Sequence, residues 1–290
     1  MADTPPAKRG FLRFVNHANV LGNDSADPAN PSFAKFGGDW KTAAPRIADA
    51  VRALGFNALG YGTVPELWDA MPFVGDVELA NVEHARLQRH FAYPDVFDPA
   101  FQDTVRAKIT KWSETGGKHP NCLGVFWTDT PRWDLDIARR TRLTDWVSAH
   151  RNLSADAPGK RAYVDFLRQR HGDFANLPGT YDVAADSWEQ LPGDGFERVM
   201  LADHRVRADD EAFLGHIAET WYKLIGETFR ATAPGVPIFG ERYKFRDHPP
   251  AVLTAAARWV DAISLQVGPQ VGPAAGPGPD DEARFDHDAI

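Results

Sequence analysis

Hydrophobic positions along the chain alternate between two periods. Trp40, Ala44, Ile47, Val51 and Leu54 recur at helical spacing, which predicts a helix over 40–54 with Asp39 as its cap and Gly55 as its stop. Phe101, Val105, Ile109 and Trp112 predict a second helix, with Asp98 as cap and Pro99 at its first position. Leu214, Ile217, Trp221, Leu224 and Thr228 line the strongest one, over 210–231. Further helices are expected at 160–170, 183–191 and from Pro249-Pro250 to Val260, the last with Leu253, Ala256, Ala257 and Val260 turned inward. Between the helices lie short apolar runs of strand length, at 11–17, 56–62, 88–93, 122–128, 236–241 and 261–266. Cys122 to Trp127 is apolar without alternation, as in a strand buried on both faces.

Strands that alternate with helices imply a parallel sheet with helical crossovers. The runs end in polar residues: Asn16-His17, Thr128-Asp129, Glu241-Arg242 and Gln266. Active sites of parallel barrels collect at the carboxyl ends of their strands, so the pattern predicts an α/β TIM-type barrel. No Gly-x-Gly-x-x-Gly follows the first run, and no phosphate-binding Gly-x-x-x-x-Gly-Lys-Ser/Thr occurs. Six runs are two short of a (β/α)8 barrel. One domain over 1–290 is expected, with 132–207 as a helical insertion after the fourth strand and the last two βα units missing.

Charge narrows the partners. Lys plus Arg total 32 against 40 for Asp plus Glu, a net charge of -8, which argues against nucleic acid. No uncharged apolar run approaches the roughly 20 residues of a membrane helix. Residues 1–14 hold no apolar stretch of signal-peptide length, so a cytoplasmic protein is expected. Cys122 is the single cysteine, which excludes an intrachain disulfide and a cysteine-based zinc site.

Three groups of residues resemble the β-agarases of glycoside hydrolase family 50 and their agarase-like relatives. They are Phe36-Gly37-Gly38-Asp39-Trp40, the block from Leu54 to Gly60, and Tyr93-Pro94-Asp95-Val96-Phe97-Asp98-Pro99. Leu123 to Trp127 and Ala256 to Ser264 match in the same order, so the resemblance covers most of residues 11–267. It implies a (β/α)8 barrel acting on a galactose-containing polysaccharide or related glycoside. It also implies an acid/base Glu at the end of the fourth strand and a nucleophile Glu at the end of the seventh. Thr130 stands where the first of these belongs, and the second would lie beyond Ile290, so neither is carried over.

Glycoside hydrolysis needs two carboxyl groups astride the scissile bond. Asp129 and Glu241, at the ends of adjacent strands, are the expected catalytic pair. Asn16, His17, Tyr61, Trp127, Arg132, Trp133, Arg242 and Gln266 are the expected sugar contacts, with Trp127, Trp133 and Tyr61 as stacking platforms. The competing structural roles are plain: Asp129 as a turn cap before Pro131, Glu241 as an ion-pair partner of Arg242 or Arg246, His17 and Trp127 as core. The expected protein is an agarase-like glycosidase with no cofactor and no metal. The alternatives are a non-catalytic carbohydrate-binding barrel and a metal-dependent barrel hydrolase or isomerase built on His17, Asp129 and Glu241.

Overall fold

The computed structural model describes residues 12–18, 39–79, 93–127, 133–136, 145–196, 198–244 and 248–266. Five parallel strands lie side by side in chain order: β1 (Phe14–Val15), β2 (Ala58–Leu59), β3 (Phe73–Asp76), β4 (Cys122–Phe126) and β5 (Ile238–Gly240). A second parallel pair joins β6 (Arg242–Lys244) to β7 (Ser264–Gln266). Only Glu241 separates β5 from β6, so residues 238–244 run as one interrupted strand that faces β4 first and β7 afterwards. The interruption has a cause in the backbone. Gly240 sits at φ 76°, a conformation that glycine adopts without steric cost. A Cβ there would lie 2.4 Å from the Tyr243 hydroxyl.

Six helices cover the sheet among the described residues: α1 (Trp40–Ala53), α2 (Pro99–Thr115), α3 (Trp146–Arg151), α4 (Pro158–His171), α5 (His204–Thr232) and α6 (Pro250–Trp259). Their starts follow the expected chemistry. Asp39 accepts a hydrogen bond from Thr42 N, Asp98 from Ala100 N with Pro99 at the first position, and Asp203 from Arg205 N. One apolar cluster seats α1 against β2 and β3 through Ala44, Ile47, Val51, Leu59 and Phe73. A larger one joins α2, α5 and α6 to β4 and β5. No described helix is long and apolar enough to cross a membrane.

Several expectations shift. The third strand is Phe73–Asp76; most of the expected 88–93 run lies outside the described residues. The link from β2 to β3 carries only a 3-10 turn at Pro65–Leu67, with no helix to announce the strand that follows. Trp68 stacks on Phe73 there, ring centroids 4.8 Å apart. No helix forms over 183–191; that stretch is turns ending in a 3-10 turn at Leu191–Gly193. In α6 the buried face is Val252, Ala255 and Ala256, while Leu253 is exposed. Leu54 is also exposed, as the cap residue of α1.

The helical segment between β4 and β5 is held by buried polar pairs as well as by apolar packing. Arg151 Nη1 lies 3.0 Å from Asp210 Oδ1, with both side chains buried. Lys160 Nζ donates to the carbonyls of Arg151 and Asp194. Asp209 accepts from the Tyr181 hydroxyl at 2.8 Å and from Arg170, and meets His171 Nε2 at 2.9 Å.

Candidate functional site

The two faces of the sheet are told apart by what their residues touch. On β3, Phe73 packs with α1, and a Cβ on Gly75 would strike Trp112 of α2, so both positions face the helices. Val77 belongs to the core under α2 and α5, and its N–H continues the ladder to Phe126 O. Strand alternation therefore turns Val74, Asp76 and Glu78 to the opposite face of the sheet.

Three strand ends meet there. Asn16 Oδ1 accepts from Tyr61 N at 3.0 Å, tying the end of β1 to the end of β2. His17 adopts φ 52°, uncommon for a non-glycine residue, and its N–H donates to Tyr61 O. Its ring meets the Tyr61 ring edge-on at 4.7 Å. The Tyr61 ring lies 6.0 Å from that of Phe126, and its hydroxyl reaches Glu78 Oε1 at 3.3 Å. Asp76 Oδ2 accepts from Gly62 N at 3.0 Å. Burial pushes the Asp76 carboxyl above its ordinary range, against the pull of the Gly62 N–H and of His17. His17 and Asn16 are exposed and Tyr61 and Asp76 half-buried, while Glu78 Oε2 is enclosed.

Glu241 occupies a different layer. Its carboxylate is 1% exposed. Trp133 Nε1 donates to it at 2.9 Å, the Tyr222 hydroxyl at 2.8 Å, and His248 Nε2 lies 3.1 Å away. Tyr222 belongs to α5, so this carboxylate sits between the sheet and that helix. Burial, and then the charge of Glu241, push the Tyr222 phenol well up, which keeps it a donor. Trp133, expected as an exposed loop platform, is 1% exposed. It stacks on Trp146 at 4.5 Å because its indole N–H has a carboxylate to bind inside. Trp127 is fully buried against Tyr222 and Phe229 of α5, the core role of the two weighed for it.

Of the expected site residues, the structure thus gathers Asn16, His17 and Tyr61 at the mouth and places Glu241, Trp133 and Trp127 behind the sheet. Asp129 and Arg132 lie outside the described residues. Arg242 and Gln266 are described only as backbone, in the paired strands β6 and β7. Asp76 and Glu78 stand beside Tyr61 and Gly62, and the sequence reading did not name them. Their signal is Val74-Gly75-Asp76-Val77-Glu78, an alternation hidden by the missing helix before it. Among the described residues no group of three His, Cys, Asp or Glu side chains could hold a metal ion.

No protein-family model and no curated protein match the chain. Solved structures do. An agarase is 21% identical with a TM-score of 0.65, over 83% of this chain and 34% of its own. An exo-β-agarase is 22% identical with a TM-score of 0.66, over 80% of this chain and 33% of its own. The β-galactosidase of the psychrophilic Marinomonas ef1 is 14% identical with a TM-score of 0.53, over 79% of this chain and 39% of its own. The chain has the fold of the TIM-barrel glycoside hydrolases. At these identities the likeness is one of fold, and the chain spans about a third of the length of the agarases it resembles. The mouth group lies at the carboxyl ends of β1, β2 and β3.

Proposed function

We propose that this chain forms the sugar-holding part of a glycosidase barrel that acts on a galactose-containing oligo- or polysaccharide. One observation supports the reading above others. On a fold shared with agarases and a β-galactosidase, Asn16, His17, Tyr61, Asp76 and Glu78 converge at the carboxyl ends of three adjacent strands. The group suits a sugar. Carboxylates, an amide and an imidazole bind hydroxyl groups, while the half-buried Tyr61 ring, backed by Phe126, offers apolar surface to a pyranose face. Glu241 has a different task on this reading: it ties the segment around Trp133 and His248 to α5.

The test is release of reducing ends from agarose, agaro-oligosaccharides and aryl β-galactosides by the purified chain, with binding of the same sugars followed by calorimetry. Turnover that falls on Tyr61→Ala supports the proposal. The second reading, a non-catalytic carbohydrate-binding barrel, is favoured by Thr130 standing where the agarase pattern has a Glu. Binding without turnover would favour it. Absence of both would overturn the carbohydrate reading.

A further inference from the structure

The backbone of Tyr61 is fixed from β1. Its N–H donates to Asn16 Oδ1 at 3.0 Å, and its carbonyl accepts from His17 N at 2.6 Å. The next residue, Gly62, donates its N–H to Asp76 Oδ2 at 3.0 Å. Gly62 sits at φ 73°, and a Cβ there would stand 2.8 Å from His17 Nδ1, so the turn packs closely against the imidazole. These bonds hold the main chain but not the side chain, which still chooses among rotamers. Contacts to the ring and its hydroxyl make that choice.

Glu78 supplies the contact at the tip of the ring. The Tyr61 hydroxyl donates to Glu78 Oε1 at 3.3 Å. Glu78 is itself well anchored. The ladder beside it continues through Val77 N to Phe126 O, and Lys108 Nζ of α2 donates to the Glu78 carbonyl at 3.0 Å. Its Oε2 is enclosed, so the carboxylate is turned into the protein. The His17 ring meets Tyr61 edge-on at 4.7 Å, and the Phe126 ring lies 6.0 Å away. The Tyr61 ring is thus flanked from β1 and β4 and tethered at its hydroxyl by the segment that continues β3. At 3.3 Å the tether is longer than an ideal hydroxyl–carboxylate bond, so it steers the ring with a graded force.

On the sugar-holding reading, on which this inference rests, we propose that Glu78 is a positioning residue: it acts through the Tyr61 hydroxyl and aims the ring before the sugar arrives. This narrows the contacts of the mouth, since of its two carboxyl groups the Glu78 one serves Tyr61. It also fixes what Tyr61 offers. Its hydroxyl is engaged by Glu78, and its ring meets the pyranose. A side chain that must be ordered during binding weakens the complex, by about two- to tenfold for a single ring. Glu78 removes that cost by ordering the ring in advance.

The experiment is calorimetry of the full chain with an agaro-oligosaccharide. Glu78→Ala and Tyr61→Phe should each raise Kd by about two- to tenfold. The double variant should bind no more weakly than either single one, because both changes remove the same contact. Glu78→Gln keeps an acceptor for the hydroxyl and should bind close to wild type. In the sugar-free chain, carbon-13 relaxation of the Tyr61 ring, assigned by its loss in Tyr61→Phe, should show an order parameter that falls in Glu78→Ala and recovers in Glu78→Gln. Thermal melts separate loss of aim from loss of fold. Glu78→Met, of similar length but without an acceptor, keeps the cycle available where the alanine variant does not fold. Losses that add in the double variant overturn the proposal. So does an order parameter that does not move, or a Glu78→Gln chain as weak as Glu78→Ala. Wild-type chain that binds no sugar overturns the sugar-holding reading and this proposal together; wild-type binding that Glu78→Ala leaves unchanged overturns the proposal alone.

Discussion

The Tyr222 hydroxyl donates a 2.8 Å hydrogen bond to Glu241 Oε1, joining the inner side of α5 to the break between β5 and β6. Trp133 and His248 bind the same carboxylate from two other segments. Removing a partner from a buried charged hydrogen bond costs about 1.5–3 kcal/mol, and removing the charge leaves its donors unsatisfied at a larger cost. Tyr222→Phe is therefore expected to lower unfolding stability by about 2 kcal/mol, and Glu241→Ala by about 3–5 kcal/mol. Urea denaturation checks both. An Glu241→Ala chain as stable as wild type would show that the carboxylate does not hold these segments, and would return it to candidacy as a catalytic group.

The Arg151 and Asp210 pair makes a second stability prediction. Both side chains are buried, and the pair joins α3 to α5 at 3.0 Å. Breaking a buried pair by removing one partner strands a charge, which costs about 3–5 kcal/mol. Asp210→Asn should cost that much, whereas replacing both residues with apolar ones of similar volume should cost much less. A double-mutant cycle in guanidinium chloride measures the coupling. A cycle that sums to zero would mean that the two charges do not depend on each other.

Asp76 carries a pH dependence with a definite sign. Its folded carboxyl titrates above the ordinary 3.8 because burial favours the neutral form. Below that value both folded and unfolded chains hold the proton, and the site costs nothing. As the pH rises the unfolded chain ionises first, so stability falls until the folded carboxyl has ionised too, and is level beyond. Asp76→Asn removes this loss. The variant should match wild type in Tm near pH 3.5 and exceed it at pH 7, as scanning calorimetry at the two pH values will show. A gap that does not widen with pH would mean that the folded Asp76 carboxyl does not titrate above the unfolded one.

The barrel was legible where a strand is announced by a helix before it. Cys122–Phe126 follows α2, and Ile238–Gly240 follows α5, and both runs fall where their hydrophobic pattern puts them. Phe73–Asp76 was hidden, because the link before it carries only a 3-10 turn and no helix to mark it. The mouth was half legible for the same reason. Asn16, His17 and Tyr61 end runs that the pattern shows, while Asp76 and Glu78 lie on and just beyond the run it does not. Trp133 shows a different limit. Its loop position suggests exposure, but an indole N–H can be buried once a carboxylate is buried with it, and that pairing is long-range: Trp133 and Glu241 are 108 residues apart.

His17 lets backbone and side chain be separated. At φ 52° its backbone is in the left-handed region, where glycine is unstrained and a β-carbon costs about 1 kcal/mol or more. Its ring, edge-on to Tyr61 at the mouth, is the part a sugar would meet. His17→Gly and His17→Ala both delete the ring, so both should weaken sugar binding to the same extent in calorimetry. They should differ in stability, with the glycine variant about 1 kcal/mol more stable than the alanine variant. The two readouts test different links. An alanine variant as stable as the glycine one would mean that residue 17 is not held left-handed. Unequal losses of binding would mean that the backbone turn itself, rather than the imidazole, shapes the mouth.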